Sequence, residues 1–119
     1  MPHIRLEYST NLPIQDKLVP FLQDIQDILA EILPAKLESF KSRAIPCQTY
    51  VVGDGKDDAA FVHCEIRIMP GRTMETLDNA AKQVLEALQD HFRGMSTNNG
   101  LSVEITELNP TYIKENKMG

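Results

Sequence analysis

Residues 61–68 read FVHCEIRI, and this alternation of apolar and polar residues decides the fold. Positions 62, 64, 66 and 68 are apolar, whereas His63, Glu65 and Arg67 lie between them. Because successive side chains of a strand point to opposite faces, the stretch predicts a strand with one face in the core and one polar face. The turn-forming residues Gly53-Asp54-Gly55 before it and Pro70-Gly71 after it mark its limits.

The segment after this strand predicts a helix and then another strand. Thr73 is a suitable N-cap, apolar residues recur at three- and four-residue steps up to Phe92, and Gly94 is a suitable C-cap. A loop is expected over Ser96–Gly100, and apolar residues then alternate with polar ones over residues 101–106. This half of the chain therefore has the order strand, helix, strand.

The first half of the chain has the same order. Residues 3–8 alternate, and turn and N-cap chemistry is expected at residues 9–11. Apolar residues with helical spacing occupy residues 18–32, and Pro20 is expected either to bend the helix or to mark its start. A second extended stretch is expected over residues 40–52.

Two strand–helix–strand units in tandem predict an α/β (α+β) fold in a single domain over residues 1–119. Each crossover should be right-handed, which makes the two strands of a unit parallel. Both helices are expected to cover the apolar face of one four-stranded sheet. The other face carries the charged and imidazole side chains of His3, Arg5, Glu7, His63, Glu65, Arg67 and Glu104. Two interpretations of that polar face stay open: a solvated surface, or the centre of a closed oligomer.

Composition argues against several functional classes. The 119 residues carry a net charge of −5, whereas nucleic-acid binders present a basic surface. No apolar run approaches the roughly 20 residues that cross a bilayer, and the first residues lack a signal-peptide pattern, so the expected compartment is the cytoplasm. Cys47 and Cys64 are expected to be free thiols. No metal-ligand spacing, no Walker loop and no dinucleotide-binding motif is present.

Pro2 is the main catalytic candidate. If Met1 is removed, Pro2 presents a secondary amine at the start of a strand. An α-amino group titrates at about 7.7–8.0, and burial beside cations brings such a group towards neutrality, where a base for proton transfer works best. The alternative is that Pro2 is an ordinary residue near the start of the chain.

Three basic residues are candidate ligands for a carboxylated substrate. Lys41 and Arg43 are two residues apart and therefore share one face of an extended segment. Arg72 lies next to the expected amino end of the second helix, where backbone N–H groups and a guanidinium together suit a carboxylate. The alternative for each of the three is a solvated surface charge.

Several short motifs occur in a characteristic order along nearly the whole chain. They are Met1-Pro2-His3-Ile4, Lys41-Ser42-Arg43, Asp54-Gly55, Ala60-Phe61-Val62-His63, Gly71-Arg72-Thr73-Met74-Glu75, His91-Phe92 and Glu104-Ile105-Thr106-Glu107-Leu108-Asn109-Pro110. This ordered set resembles the 5-carboxymethyl-2-hydroxymuconate isomerases of the tautomerase superfamily. One departure is Lys41, at a position where the family usually has Arg; Lys keeps the charge but loses the bidentate grip on a carboxylate.

The resemblance implies a homotrimer whose sheets surround a central barrel, with active sites near the subunit boundaries. It implies that Pro2 acts as general base and then general acid, taking a proton from a dienol and returning it to carbon without a cofactor. It also implies that Arg72 and Lys41, with Arg43 nearby, hold substrate carboxylates. The implied substrate is a small carboxylated 2-hydroxydienoate from aromatic-compound breakdown, such as 5-carboxymethyl-2-hydroxymuconate.

Two other functions stay open. Relatives with this scaffold are known for dehalogenation, hydration or decarboxylation that depends on a charged proline, and a non-catalytic trimeric binding protein is the second alternative. The polar tail from Asn109 to Gly119 is expected to be mobile or to cover a neighbouring subunit.

Overall fold

The computed structural model describes residues 2–92, 94 and 98–115. The strands and helices follow the order that the sequence predicts. Their bounds are β1 His3–Ser9, α1 Leu18–Ile32, β2 Lys41–Cys47, β3 Ala59–Ile68, α2 Met74–Phe92 and β4 Asn98–Glu107. Short 3-10 turns at Gln15–Lys17 and Leu37–Ser39 precede α1 and β2.

The strands form one four-stranded sheet in the order β2-β1-β3-β4. β1 is parallel to β2, and β3 is parallel to β4, which confirms the predicted parallel pairing within each unit. The two units meet where β1 pairs antiparallel with β3, and His3 lies opposite both Lys41 and Arg67. The starts of β1 and β2 therefore lie beside the ends of β3 and β4. We call this region the Pro2 end of the sheet.

The core lies between one face of the sheet and the two helices. The sheet contributes the buried side chains Ile4, Leu6, Tyr8, Val62, Cys64, Ile66 and Ile68. The helices also pack against each other, since the ring of Phe21 on α1 lies 5.1 Å from the ring of Phe92 on α2. The predicted polar face is formed by His3, Arg5 and Glu7 of β1 and by His63, Glu65 and Arg67 of β3, and none of these six residues is fully buried.

The start of α1 differs from the expectation. Pro20 is the third residue of α1, where an N–H group would have no intrahelical acceptor. Of the two expectations for Pro20, the start of the helix is therefore confirmed. The expected N-cap at residues 9–11 is wrong, because Lys17 is the N-cap and makes no side-chain capping bond. The Asn11 amide instead donates to the Ala59 carbonyl oxygen at 2.8 Å and ties the turn to the start of β3.

The caps of α2 agree with the sequence. The Thr76 N–H donates to Oγ1 of Thr73 at 3.2 Å, so Thr73 satisfies one of the N–H groups that the first turn leaves unpaired. Gly94 has a φ of 79°, the left-handed conformation that favours glycine after a helix.

Two strand limits differ from the expectation. β2 ends at Cys47, because its partner β1 ends at Ser9 opposite that residue, so residues 48–52 are not strand. β4 begins at Asn98, inside the expected loop, because β3 extends back to Ala59 and provides backbone partners there. Residues 96 and 97 lie outside the described residues.

Two further observations concern the apolar length of the helices and the state of the two cysteines. Within the described residues, neither helix is long and apolar enough to serve as a membrane span. Both cysteines are free thiols, as predicted, with Cys64 buried in the core and Cys47 partly exposed at the end of β2.

Candidate active site

Pro2 is buried and immediately precedes β1. Its carbonyl oxygen accepts a hydrogen bond from the Lys41 N–H at 3.1 Å, which holds the residue beside β2. Because proline has no N–H, its ring nitrogen takes no part in the hydrogen bonds of the sheet. The nitrogen is an amide while Met1 is attached and becomes a basic amine once that peptide bond is cleaved.

Lys41 and Arg43 share the polar face of β2, and both are exposed. Lys41 lies opposite His3, and Arg43 lies opposite Arg5. Nη2 of Arg43 donates to Nδ1 of His3 at 2.9 Å and lies 3.5 Å from the Lys41 carbonyl oxygen. Arg43 is therefore held over the start of β1.

Arg72 lies between the end of β3 and the start of α2, and its guanidinium binds backbone carbonyls. Nε donates to the Leu33 oxygen at 3.2 Å, Nη1 to the Met69 oxygen at 3.0 Å and Nη2 to the Pro34 oxygen at 3.4 Å. Two of these carbonyls follow α1, where the helix dipole is negative. A guanidinium has five N–H donors, so one hydrogen on each terminal nitrogen lies beyond these three bonds.

The four residues singled out from the sequence all lie at the Pro2 end. Lys41 and Arg43 are on the polar face, whereas Arg72 is beside the helix layer. Within the described part of the chain, the hydrogen bonds of Arg72 go to main-chain oxygens and do not reach Pro2 or Lys41. Pro2 lies between these two positions in the strand order, because β1 separates β2 from β3.

A cavity of about 210 Å³ opens on the polar face at the same end of the sheet. Its polar lining comes from His3, Arg5, Arg43, Glu65, Arg67 and Tyr112. Three guanidinium groups against one carboxylate give this cavity a positive charge, although the whole chain carries −5. His3, Arg5, Glu65 and Arg67 were predicted to lie on the polar face but had no predicted role, whereas Arg43 was a predicted ligand of the substrate.

His3 is the central hydrogen-bonding group of the cavity. Its Nδ1 lies 2.9 Å from Nη2 of Arg43, and its Nε2 lies 3.0 Å from the hydroxyl of Tyr112. Burial lowers the pKa of His3 below 6.5, and the positive charges of Arg43, Lys41, the amino terminus and Arg67 lower it further. His3 is therefore biased towards its neutral form.

Tyr112 lines the cavity but was not among the site residues predicted from the sequence. The tail was expected to be mobile or to cover a neighbour, but Asn109 turns it back: its side chain accepts from the Thr111 N–H and its carbonyl from the Tyr112 N–H, both at 2.8 Å. The Tyr112 ring then packs edge-on against His3 of the same chain. A lone aromatic residue in a polar tail was the available signal. Residues 116–119 lie outside the described residues.

Two further histidines pair with carboxylates. Nε2 of His63 donates to Glu104 at 3.0 Å, and Nδ1 of His63 lies 2.6 Å from the Ser102 hydroxyl. Nε2 of His91 lies 3.1 Å from Asp24, so His91 links α2 to α1 rather than only facing solvent near the end of its helix. Among the described residues, no three His, Cys, Asp or Glu side chains are close enough together to hold a metal ion.

Comparison with known proteins identifies the family. The family model described as 5-carboxymethyl-2-hydroxymuconate isomerase matches residues 2–119. The chain belongs to the 5-carboxymethyl-2-hydroxymuconate isomerase family. A 5-carboxymethyl-2-hydroxymuconate Delta-isomerase of Escherichia coli is 31% identical to it over 121 residues, which cover 99% of this chain and 96% of the relative. As in that relative, the activity is that of an isomerase, which confirms the predicted enzyme class.

A solved structure of this family and a more distant solved structure have the same fold. A 5-carboxymethyl-2-hydroxymuconate isomerase from Deinococcus radiodurans R1 has a TM-score of 0.79 and 30% identity, with coverage of 97% of this chain and 90% of that chain. A fused 4-OT, solved as a symmetric trimer, has a TM-score of 0.73 and 18% identity, with coverage of 93% and 90%. The predicted tautomerase fold is therefore confirmed.

Proposed function

We propose that this chain is a single-domain, homotrimeric isomerase that converts a carboxylated 2-hydroxydienoate into the conjugated ketone during aromatic-compound breakdown. The name of the E. coli relative makes 5-carboxymethyl-2-hydroxymuconate the first substrate to test. Removal of Met1 frees the ring nitrogen of Pro2, which takes the hydroxyl proton of the dienol and returns a proton to carbon. The reaction breaks an O–H bond, forms a C–H bond and shifts the π bonds, so it needs no oxidant or reductant.

The position of Pro2 is the observation that carries this proposal. The residue is buried at the start of a central strand and is held by its carbonyl oxygen, which leaves the nitrogen without a role in the sheet. Burial disfavours the charged form of an amine, and a base that is neutral near the working pH is suited to proton transfer. The dehalogenase and hydratase alternatives require a charged proline instead.

Lys41, Arg43 and Arg72 are the proposed ligands of the substrate carboxylates. All three lie at the Pro2 end, and cations placed there stabilise the negative charge that develops on the dienolate. Arg72 keeps an N–H on each terminal nitrogen for a carboxylate after its three main-chain bonds. In this arrangement Arg72 supports the end of α1 and binds substrate with the same guanidinium.

The first test concerns the amine. Ultraviolet absorbance follows ketonisation of a 2-hydroxydienoate by the processed protein, by Pro2→Ala and by a chain in which an added residue keeps Pro2 in a peptide bond. Loss of the base should lower kcat by about 10²- to 10⁴-fold in the blocked chain. Pro46→Ala, at an exposed position of β2, is the matched control. Full activity of a blocked chain, verified by mass spectrometry, would sink the proposed role of Pro2.

A second test separates the two roles of Arg72. Arg72→Ala should lower kcat/KM strongly and also lower the unfolding midpoint, because three hydrogen bonds are lost. Arg72→Lys keeps the charge, so it should recover part of the activity but little of the stability. Activity that falls only in proportion to the folded fraction would remove Arg72 from the substrate site.

A third test uses the departure at Lys41. Lys41→Arg restores the group that the family usually has and should lower KM for a dicarboxylate, since a guanidinium binds a carboxylate bidentately. Lys56→Arg, an exposed control in the turn before β3, should leave KM unchanged. Equal effects of both variants would show that the guanidinium at position 41 makes no bidentate contact with the substrate.

A further inference from the structure

The cavity on the polar face is lined by more guanidinium groups than carboxylates. Arg5 has an acidic partner, since its Nη2 lies 3.4 Å from Glu7, and Glu65 lies opposite it on β3. The ion pairs of the described chain do not include Arg43 or Arg67. Two guanidinium groups therefore face a small space in a chain whose net charge is −5.

The hydrogen bonds of His3 determine where its proton lies. A guanidinium can only donate, so Nδ1 of His3 must accept from Arg43 at 2.9 Å. In a neutral imidazole the hydrogen is then on Nε2, which donates to the Tyr112 oxygen at 3.0 Å. The phenol hydrogen of Tyr112 is consequently not shared with His3 and can donate to a third group.

We propose that this cavity is a binding site for a compact dianion, either a short dicarboxylate or a phosphate. Arg43 and Arg67 supply the charge, and the Tyr112 hydroxyl donates the third hydrogen bond. His3 is a positioning residue, because its Nε2–H occupies the Tyr112 oxygen and so directs the phenol hydrogen away from itself. Pro2 is not among the residues that line this cavity, and Arg43 is common to the cavity and to the proposed ligands of the substrate.

The size of the cavity limits the ligand. A volume of about 210 Å³ equals roughly seven waters at about 30 Å³ each. Drug-sized and cofactor sites usually occupy about 300–1,000 Å³, so the volume of this cavity suits a smaller ligand. Two negative charges on one small molecule match two guanidinium groups, which favours a dianion over a monocarboxylate.

Binding is measured directly, without turnover. The processed protein is titrated with succinate and, separately, with inorganic phosphate at pH 7.5, with chloride adjusted to keep the ionic strength constant. Calorimetry gives the affinity, and the ring resonances of His3 give a second measure that should shift with the same dissociation constant. Saturable binding of either anion supports the site, and the tighter of the two identifies the ligand class.

Four variants distinguish specific anion binding in the cavity from a non-specific electrostatic attraction to the protein surface. Arg67→Gln and Tyr112→Phe should each weaken binding by about tenfold, as expected for a lost hydrogen bond to a charged group. Lys56→Gln and Tyr50→Phe change the same kinds of group away from the cavity and should change the affinity by less than about twofold. Thermal unfolding without ligand shows whether each variant is folded.

Two outcomes would overturn the site. One is the absence of saturable binding of both anions at millimolar concentration. The other is an equal loss of affinity in Arg67→Gln and Lys56→Gln. Equal losses would indicate a long-range electrostatic attraction that does not depend on the position of the charge. Because neither measurement uses a dienoate, an inactive protein that still binds succinate would contradict the proposed function and leave this site standing.

Discussion

The two faces of β1 and β3 use the same backbone for different purposes. On the helix face, the side chains of Leu6, Cys64 and Ile66 are completely buried. On the opposite face, hydrogen bonds beside a cavity link His3 of β1 to Arg43 of β2 and to Tyr112 of the tail. A step of one residue along a strand thus separates side chains that lie in the core from side chains that lie on the polar face.

This division follows from the period of two in a strand. From Val62 to Ile68, the apolar residues that β3 places in the core alternate with His63, Glu65 and Arg67, so the same strand supplies a row of polar groups on the other face. A substitution in the core should therefore change stability first, and one on the polar face should change recognition first. The following experiments test that division, beginning with the largest expected effect.

The two cysteines should differ most in reactivity. Burial raises the pKa of Cys64 to about 12 from the usual 9.0, which lowers its thiolate fraction near neutral pH by about a thousandfold. Cys47 is partly exposed at the end of β2. An aromatic disulfide reagent at pH 7.5 should therefore label one thiol in the folded protein and two in guanidinium. Cys47→Ser should abolish the fast reaction; a fast thiol that remains would mean that the core face opens.

Adjacent residues of β1 should differ in their contribution to stability. Leu6 is fully buried, and Leu6→Ala should lower the free energy of unfolding by about 2–5 kcal/mol, because it removes apolar contact and leaves a cavity. Glu7 pairs with Arg5 at the surface, and Glu7→Ala should cost about 1 kcal/mol or less. Denaturant titration at one fixed protein concentration measures both. Similar costs for the two variants would contradict the division between faces.

The smallest expected effect is a pH dependence at His3. Burial and then the nearby cations lower its pKa in the folded state, so between that value and about 6.5 the unfolded chain binds more protons than the folded one. Stability should therefore rise with pH through this window, and this contribution is lost as the pH falls below about 6.5.

The His3 contribution is measured as a difference between variants. Denaturation midpoints of the wild type and His3→Gln are compared from pH 5 to 7.5. The slope of stability against pH should be smaller in His3→Gln than in the wild type. An unchanged slope in His3→Gln would show that the polar face leaves this imidazole as free to protonate as in the unfolded chain.

The sequence was sufficient for the fold because its signals are local and regular. The alternation in residues 61–68 and the helical spacing in residues 18–32 each identify an element without reference to the rest of the chain. The errors occur where distant partners decide. β4 extends back to Asn98 because β3 provides a partner, and β2 stops at Cys47 because β1 ends beside it.

The site could be predicted only in part for the same reason. Pro2, Lys41, Arg43 and Arg72 were identified from residue type and order, and their roles remain predictions. The main-chain contacts of Arg72 depend on how α1 meets the end of β3, which no local pattern contains. The contact between His3 and Tyr112 joins residues 109 positions apart, so the sequence offered only the isolated aromatic.

The antiparallel pairing of β1 with β3 gives the chain an approximate internal twofold symmetry, with one strand–helix–strand unit on each side. The first strands of the two units start at opposite ends of the sheet. A circular permutant opened in the turn before Ala59 would therefore carry its terminal amine roughly 20 Å from the original position, at about 3.3 Å per residue along β1. Chemistry that relies on a chain terminus breaks the symmetry of such a scaffold, because only one of two related strand starts can carry the free amine.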